Sequence, residues 1–121
     1  IIGRSHIVGR PMSILMSRKG YPGDSTVTLT HSRTKNIEEY TKTADIIITA
    51  LGVPNYLKAD MVKDGVVVID VGITRVEDAS HPKGYRKKSS FITQVPGEVG
   101  PMTIKKKKKN TLLARKIRSR K

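Results

Sequence analysis

The chain has 121 residues with a formal net charge of +14, no Cys, no Trp and aromatics at only 4%. That length suits one domain whose core must rest on Ile, Val, Leu, Met and Ala. The absence of Cys excludes disulfides, thiolate metal sites and a cysteine nucleophile, and fits a reducing compartment, so a cytoplasmic location is expected.

No apolar run approaches the roughly 20 residues of a membrane span, and Arg4 and His6 interrupt any signal-like apolar start. The chain reads as soluble, with no membrane partner. Ten of the 24 Lys and Arg fall between Lys105 and Lys121, so much of the excess charge belongs to a tail. That tail has no interleaved aromatics for base stacking. Nonspecific affinity for polyanions at low salt is expected, without a specific nucleic-acid partner.

The chain opens on Ile1-Ile2-Gly3-Arg4-Ser5-His6-Ile7-Val8-Gly9-Arg10-Pro11, an apolar stub, a glycine turn and the start of a helical pattern. A strand end, a tight turn and a helix amino terminus together direct backbone N–H groups and a dipole toward one anion. Gly3 suits a positive φ, Gly9 a close approach, and Pro11 the first helical turn. The spacing is not the G-x-G-x-x-G fingerprint, so a plain strand-turn-helix connection remains an equal reading.

Met12, Ile14, Leu15 and Met16 give the helix a short apolar face ending near Gly20, and Tyr21-Pro22-Gly23-Asp24 marks a loop. Thr26 to Thr30 reads as a strand. Thr34 or Asn36 then caps a short helix through Ile37 and Tyr40. Asp45 to Ala50 and Val66 to Val71 are unbroken, β-branched-rich runs closed by Gly52 and Gly72, the pattern of parallel strands buried on both faces. The expected fold class is α/β, a doubly wound, mostly parallel sheet forming a Rossmann-like domain over residues 1–121. The strand ends at Gly3-Arg4-Ser5, His31-Ser32-Arg33, Gly52-Val53-Pro54 and Gly72-Ile73-Thr74 would then line one crevice, where such sheets bind nucleotides.

At the end of the second strand, dinucleotide folds usually carry an Asp or Glu for the ribose 2′-hydroxyl. Here His31-Ser32-Arg33-Thr34-Lys35 offers a hydroxyl, a guanidinium and an ammonium, a set suited to a 2′-phosphate. A solvated basic turn is the alternative. Arg4 could serve the same phosphate or lie on the surface. The three His lack carboxylates at ligand spacing, so no metal site is expected. Asp70 reads as a hydrogen-bond partner for the turn that follows it, and Ser5 as a phosphate donor and not a nucleophile.

Four segments together resemble the cofactor domain of the bifunctional methylenetetrahydrofolate dehydrogenase/cyclohydrolase family: residues 3–11, His31-Ser32-Arg33-Thr34, Val68-Ile69-Asp70-Val71-Gly72-Ile73, and Val95-Pro96-Gly97-Glu98-Val99-Gly100-Pro101-Met102-Thr103. Order and spacing agree through about residue 78. The resemblance implies NADP as cofactor, with Gly3, Arg4, Ser5, Ser32 and Ile73 among its contacts and Arg33 beside them. It places Pro96, Gly97, Val99, Gly100 and Pro101 in a loop at the mouth of a folate cleft. It also implies a tetrahydrofolate derivative as substrate and a homodimer as the full-length enzyme.

The family's catalytic lysine lies in a Tyr-x-x-x-Lys motif of an amino-terminal domain. None of Tyr21, Tyr40, Tyr56 or Tyr85 is followed by Lys at the fourth position, so no catalytic residue is expected here. The chain is expected to be the nucleotide-binding portion of a longer enzyme, inactive by itself. Three departures from the family stand out: a short passage from Ala79 to Ser90, Glu98 where glycine is usual, and the lysine run Lys105 to Lys109. If a helix spans residues 101–118, Ile104, Leu112, Leu113 and Ile117 mark its buried face, and Lys105, Lys108 and Lys109 fall on the same stripe. Burying several ammonium groups there would cost several kcal/mol unless they snorkel.

Overall fold

The structure is a computed structural model and describes residues 1–53, 56–72, 89–92, 105–112 and 115. In chain order it has helix α1 (Gly9–Ser17), helix α2 (Ile37–Thr41), strand β1 (Ile46–Thr49), a single 3₁₀ turn (Ala59–Met61), strand β2 (Val66–Asp70) and strand β3 (Ser89–Ile92). The three strands form one parallel sheet in the order β1-β2-β3. Ile2 extends it with parallel bridges to Thr49 on one side and Thr30 on the other. The lateral order is therefore Thr30, Ile2, β1, β2, β3: the chain leaves Ile2 in one direction and returns past it to β1. This is a Rossmann-like α/β arrangement.

The two β-branched runs became the strands expected of them, each trimmed at its ends. Ile46, Ile47, Ile48 and Thr49 face Val67, Val68, Ile69 and Asp70 in register. Side chains alternate across the sheet. Ile47, Val66 and Val68 thus share one face, where they form a core with Ile2, Ile37, Leu57, Met61 and Val62. Val66 and Val68 have no exposed surface at all. Thr41 is buried with them and satisfies its hydroxyl by donating to the Ile37 carbonyl at 3.3 Å.

The other face differs from expectation. Unbroken apolar runs predict burial on both sides, yet Val67 and Ile69 are half-buried and Ile46 is 44% exposed. Ile48 alone is well covered there, at 4%. Ile14 and Leu15 of α1 are also exposed, so this helix does not close its apolar face onto the sheet.

Three further expectations are corrected. Thr26 to Thr30 is not a regular strand: only Thr30 forms a bridge, because its inner neighbour pairs with it through Ile1 to Gly3 alone. Asn36 does occupy the N-cap position of α2, but in the left-handed region at φ 50°, and its side chain makes no capping bond. Its amide donates instead to the Glu39 carboxylate at 3.2 Å, while Thr34 caps the preceding turn. Residues 105–112 are helical, as expected, but all are exposed, Leu112 at 61%. The lysines of that run therefore sit in solvent on a helix, at no desolvation cost, and Leu112 marks no buried stripe.

Candidate functional site

The bridges and registers set Thr30, Ile2, Thr49 and Asp70 in one row across the sheet. The next residue of each segment leaves the sheet at the same level: His31, Gly3, Ala50 and Val71. Backbone bonds hold the row, with Gly3 N donating to Thr30 O at 3.0 Å, Ala50 N to Ile2 O at 3.0 Å and Val71 N to Thr49 O at 2.8 Å. Parallel pairing thus brings the described strand ends to one edge of the sheet, where open α/β sheets bind their ligands.

The first wall is the turn from Gly3 to Gly9. Gly3 has φ +108°, a conformation L side chains rarely adopt, and a Cβ there would touch the Ala50 carbonyl at 3.4 Å. Gly9 is buried against the start of the same turn. Ser5 closes it. Its Oγ accepts from Val8 N at 3.1 Å and from Gly9 N at 3.3 Å, and its carbonyl accepts from Arg10 N at 3.0 Å.

These amides were expected to face an anion, and they face Ser5. The reason is local: the turn is long enough to fold back, so a hydroxyl within it reaches the orphan donors at the helix start before any ligand does. Both bonds use the Ser5 oxygen as acceptor, and a hydroxyl keeps one hydrogen to donate. Ser5 and Arg4 are exposed on this turn.

The second wall is the turn from His31 to Thr34. His31 N donates to Thr34 Oγ1 at 2.9 Å and Thr34 N to His31 O at 2.9 Å, while Arg33 N donates to His31 Nδ1 at 3.2 Å. The last bond makes Nδ1 an acceptor, which leaves the ring proton of a neutral imidazole on Nε2. Half-buried His31 and Thr34 form the base, and Ser32 and Arg33 are held outward at the exposed tip. Sequence reasoning had singled out the tip and missed the frame; a Thr three residues beyond a strand end is the signal that identifies it.

On the far side, Asp70 Oδ1 accepts from Gly72 N at 2.9 Å, the turn-supporting role expected of this carboxylate. Gly72 lies against β1's outgoing chain so closely that a Cβ would stand 2.1 Å from the Leu51 carbonyl oxygen. Ile73 and the loop residues Pro96, Gly97, Val99, Gly100 and Pro101 lie outside the described residues. Among the described residues no cluster of His, Asp or Glu could hold a metal, and no helix is long and apolar enough to cross a membrane.

Comparison with known proteins agrees with this geometry. The family described as tetrahydrofolate dehydrogenase/cyclohydrolase, NAD(P)-binding domain, matches residues 1–119. The "Bifunctional protein FolD" of Flavobacterium johnsoniae is 74% identical over 132 aligned positions that take in 100% of this chain and 45% of the relative. The chain therefore spans less than half the length of this curated relative, and the aligned stretch exceeds its 121 residues, so the relative carries residues this chain lacks.

Among solved structures, a 5,10-methylenetetrahydrofolate dehydrogenase from the silkworm, Bombyx mori, superimposes with TM-score 0.85 at 42% identity, over 99% of this chain and 44% of that one. The Trypanosoma brucei methylenetetrahydrofolate dehydrogenase-cyclohydrolase, solved with NADP and an inhibitor, gives TM-score 0.78 at 36% identity, over 97% and 43%. With a parallel sheet, a level row of strand ends and a family match over nearly its whole length, the chain belongs to the tetrahydrofolate dehydrogenase/cyclohydrolase family, as its NAD(P)-binding domain.

Proposed function

We propose that this chain is the NADP-binding portion of a methylenetetrahydrofolate dehydrogenase/methenyltetrahydrofolate cyclohydrolase of one-carbon metabolism, a cytoplasmic homodimer when full length. Residues 1–121 are read as one doubly wound domain, with the helix of residues 101–118 at its carboxyl end. The observation that carries the cofactor reading is the His31–Thr34 turn: it presents Ser32 and Arg33 outward and contains no carboxylate. A 2′-phosphate meets a guanidinium and a hydroxyl there, and a charge-assisted bond to such a group is worth about 1.5–3 kcal/mol. A carboxylate in the same place would repel it.

The glycine turn fits the middle of a dinucleotide. Gly3 brings backbone to the floor of the crevice without a side chain, and the Ser5 hydroxyl hydrogen and Arg4 guanidinium supply donors for pyrophosphate oxygens. Family resemblance adds Ile73 to the cofactor contacts and assigns Pro96, Gly97, Val99, Gly100 and Pro101 to the mouth of the folate cleft.

When bound, the nicotinamide would accept the hydride released as the methylene bridge of the folate is oxidised; hydrolysis of the methenyl product follows in the same cleft. This chain's own residues bind and orient. The lysine chemistry belongs to a part of the longer protein that is not in this sequence.

Titration of the full-length protein with NADP, NAD and heparin at several salt concentrations tests the reading. Saturable NADP binding, tighter than NAD and distinct from heparin in salt slope, is the expected result. A basic nucleic-acid-binding module would show no dinucleotide preference and a uniformly steep salt dependence, which would overturn it.

A further inference from the structure

The turn that presents Ser32 and Arg33 is locked by the side chains at both of its ends. His31 O accepts from Thr34 N at 2.9 Å and closes the turn, Thr34 Oγ1 accepts from His31 N at 2.9 Å, and His31 Nδ1 accepts from Arg33 N at 3.2 Å. The third bond differs from the other two. It alone reaches the tip: among the described residues, the Arg33 N–H is the one backbone group of Ser32 or Arg33 with a partner.

Ser32 and Arg33 are exposed, so no packing against the sheet orients them. Their aim is set by the backbone. A long guanidinium side chain loses rotamer freedom when it engages a ligand, and a tip whose backbone also wandered would lose more. The imidazole of half-buried His31 supplies the anchor, one bond from the sheet, since Thr30 before it is bridged to Ile2.

A side chain that accepts from the N–H two residues on is the usual device of Asn and Asp, whose oxygen stands one bond beyond Cγ. Nδ1 of an imidazole stands at the same remove. His31 therefore makes the Asx-type bond without an Asx residue. Its position is also the one at which dinucleotide folds carry the carboxylate for a free ribose 2′-hydroxyl. An Asp here would hold the turn and repel a 2′-phosphate; the neutral ring holds the turn and brings no negative charge.

We propose that His31 is a positioning residue that sets the preference for NADP over NAD: its Nδ1 fixes the Arg33 backbone and so aims the Ser32 hydroxyl and the Arg33 guanidinium at the 2′-phosphate. The proposal rests on the NADP reading above and adds to it a residue that acts through its two neighbours. NAD, which lacks the phosphate, gains nothing from the aim of the tip.

The full-length protein provides the test. Heteronuclear NMR of the His31 ring should show the neutral form protonated on Nε2, with Nδ1 bare as an acceptor; a neutral ring protonated on Nδ1 would overturn the proposal whatever the variants do. Calorimetric titrations with NADP and NAD then compare the unmodified protein with two variants. His31→Leu removes the acceptor and should weaken NADP roughly two-fold to ten-fold, the net worth of one hydrogen bond, with NAD unchanged. His31→Asn restores an acceptor and should stay within about two-fold of the unmodified protein.

In a Ser32→Ala/Arg33→Ala background, adding His31→Leu should cost NADP nothing further, because a residue that acts through the tip is silent once the tip is gone. Equal loss of NADP and NAD, failure of His31→Asn to rescue, or an undiminished loss in that background would each show a merely structural role and overturn the proposal. Unmodified protein that binds NADP and NAD alike would remove the NADP reading and the proposal together. An NADP preference that persists unchanged in His31→Leu would remove the proposal alone.

Discussion

A Cβ on Gly9 would stand 1.8 Å from the carbonyl oxygen of Gly3. The helix start and the strand end are therefore in backbone contact, and the turn between them is closed by the absence of a single methyl group.

Gly9→Ala should open that turn. A backbone atom cannot yield as a flexible side chain does, so the expected cost is at least the roughly 1–3 kcal/mol of an overpacked core site. Chemical denaturation of the full-length protein should show a lowered midpoint, and NADP affinity should fall with it. Wild-type stability and affinity would show that the turn is not the rigid wall described.

Ser5→Ala separates two roles of one hydroxyl. Loss of the bonds from Val8 N and Gly9 N should destabilise the protein by about 0.5–2 kcal/mol, the range for a missing helix cap. Ser5→Thr retains the oxygen and should recover most of that stability. If Ser5→Ala lowers NADP affinity while Ser5→Thr does not, the hydroxyl hydrogen serves the cofactor; unchanged affinity in both would leave Ser5 with a purely structural role.

The cofactor preference should narrow in Ser32→Ala/Arg33→Ala. Removing a charge-assisted hydrogen bond of about 1.5–3 kcal/mol corresponds to roughly ten-fold to a hundred-fold in affinity for NADP. NAD binding should change little. Side-by-side calorimetric titrations check this, and equal NAD and NADP affinities in the unmodified protein would contradict the assignment.

The 121-residue chain alone should give no folate-dependent NADPH formation. It has a cofactor crevice but no Tyr-x-x-x-Lys motif, and hydride transfer needs both reactants held in contact. The full-length protein should reduce NADP when given methylenetetrahydrofolate. Turnover by the isolated chain, followed at the NADPH absorbance, would place the catalytic groups within it.

Much of the fold was legible because its strongest signals are local. Asp45–Ala50 and Val66–Val71 announce parallel strands by composition alone, Gly3 announces a turn, and Asp70 two residues before a glycine announces its own bond to Gly72 N. The fate of Ser5 was hidden, since whether a hydroxyl donates to a ligand or accepts from the backbone depends on how far the turn folds back. Thr26–Thr30 and Ile46 misled for a different reason. A strand pattern states what a segment prefers, and its ladder depends on whether a neighbour stands beside it. The lysine helix misled because a stripe of apolar residues predicts a buried face only where another element covers it, and Leu112 is 61% exposed.

The level row of Thr30, Ile2, Thr49 and Asp70 also bears on how this family can change in length. Because side chains alternate with a period of two, removing one residue within β1 or β2 would invert every later side chain and draw one corner of the crevice inward. A residue gained or lost in a crossover does neither. The connections between the strands can therefore lengthen or shorten while the floor of the crevice stays fixed.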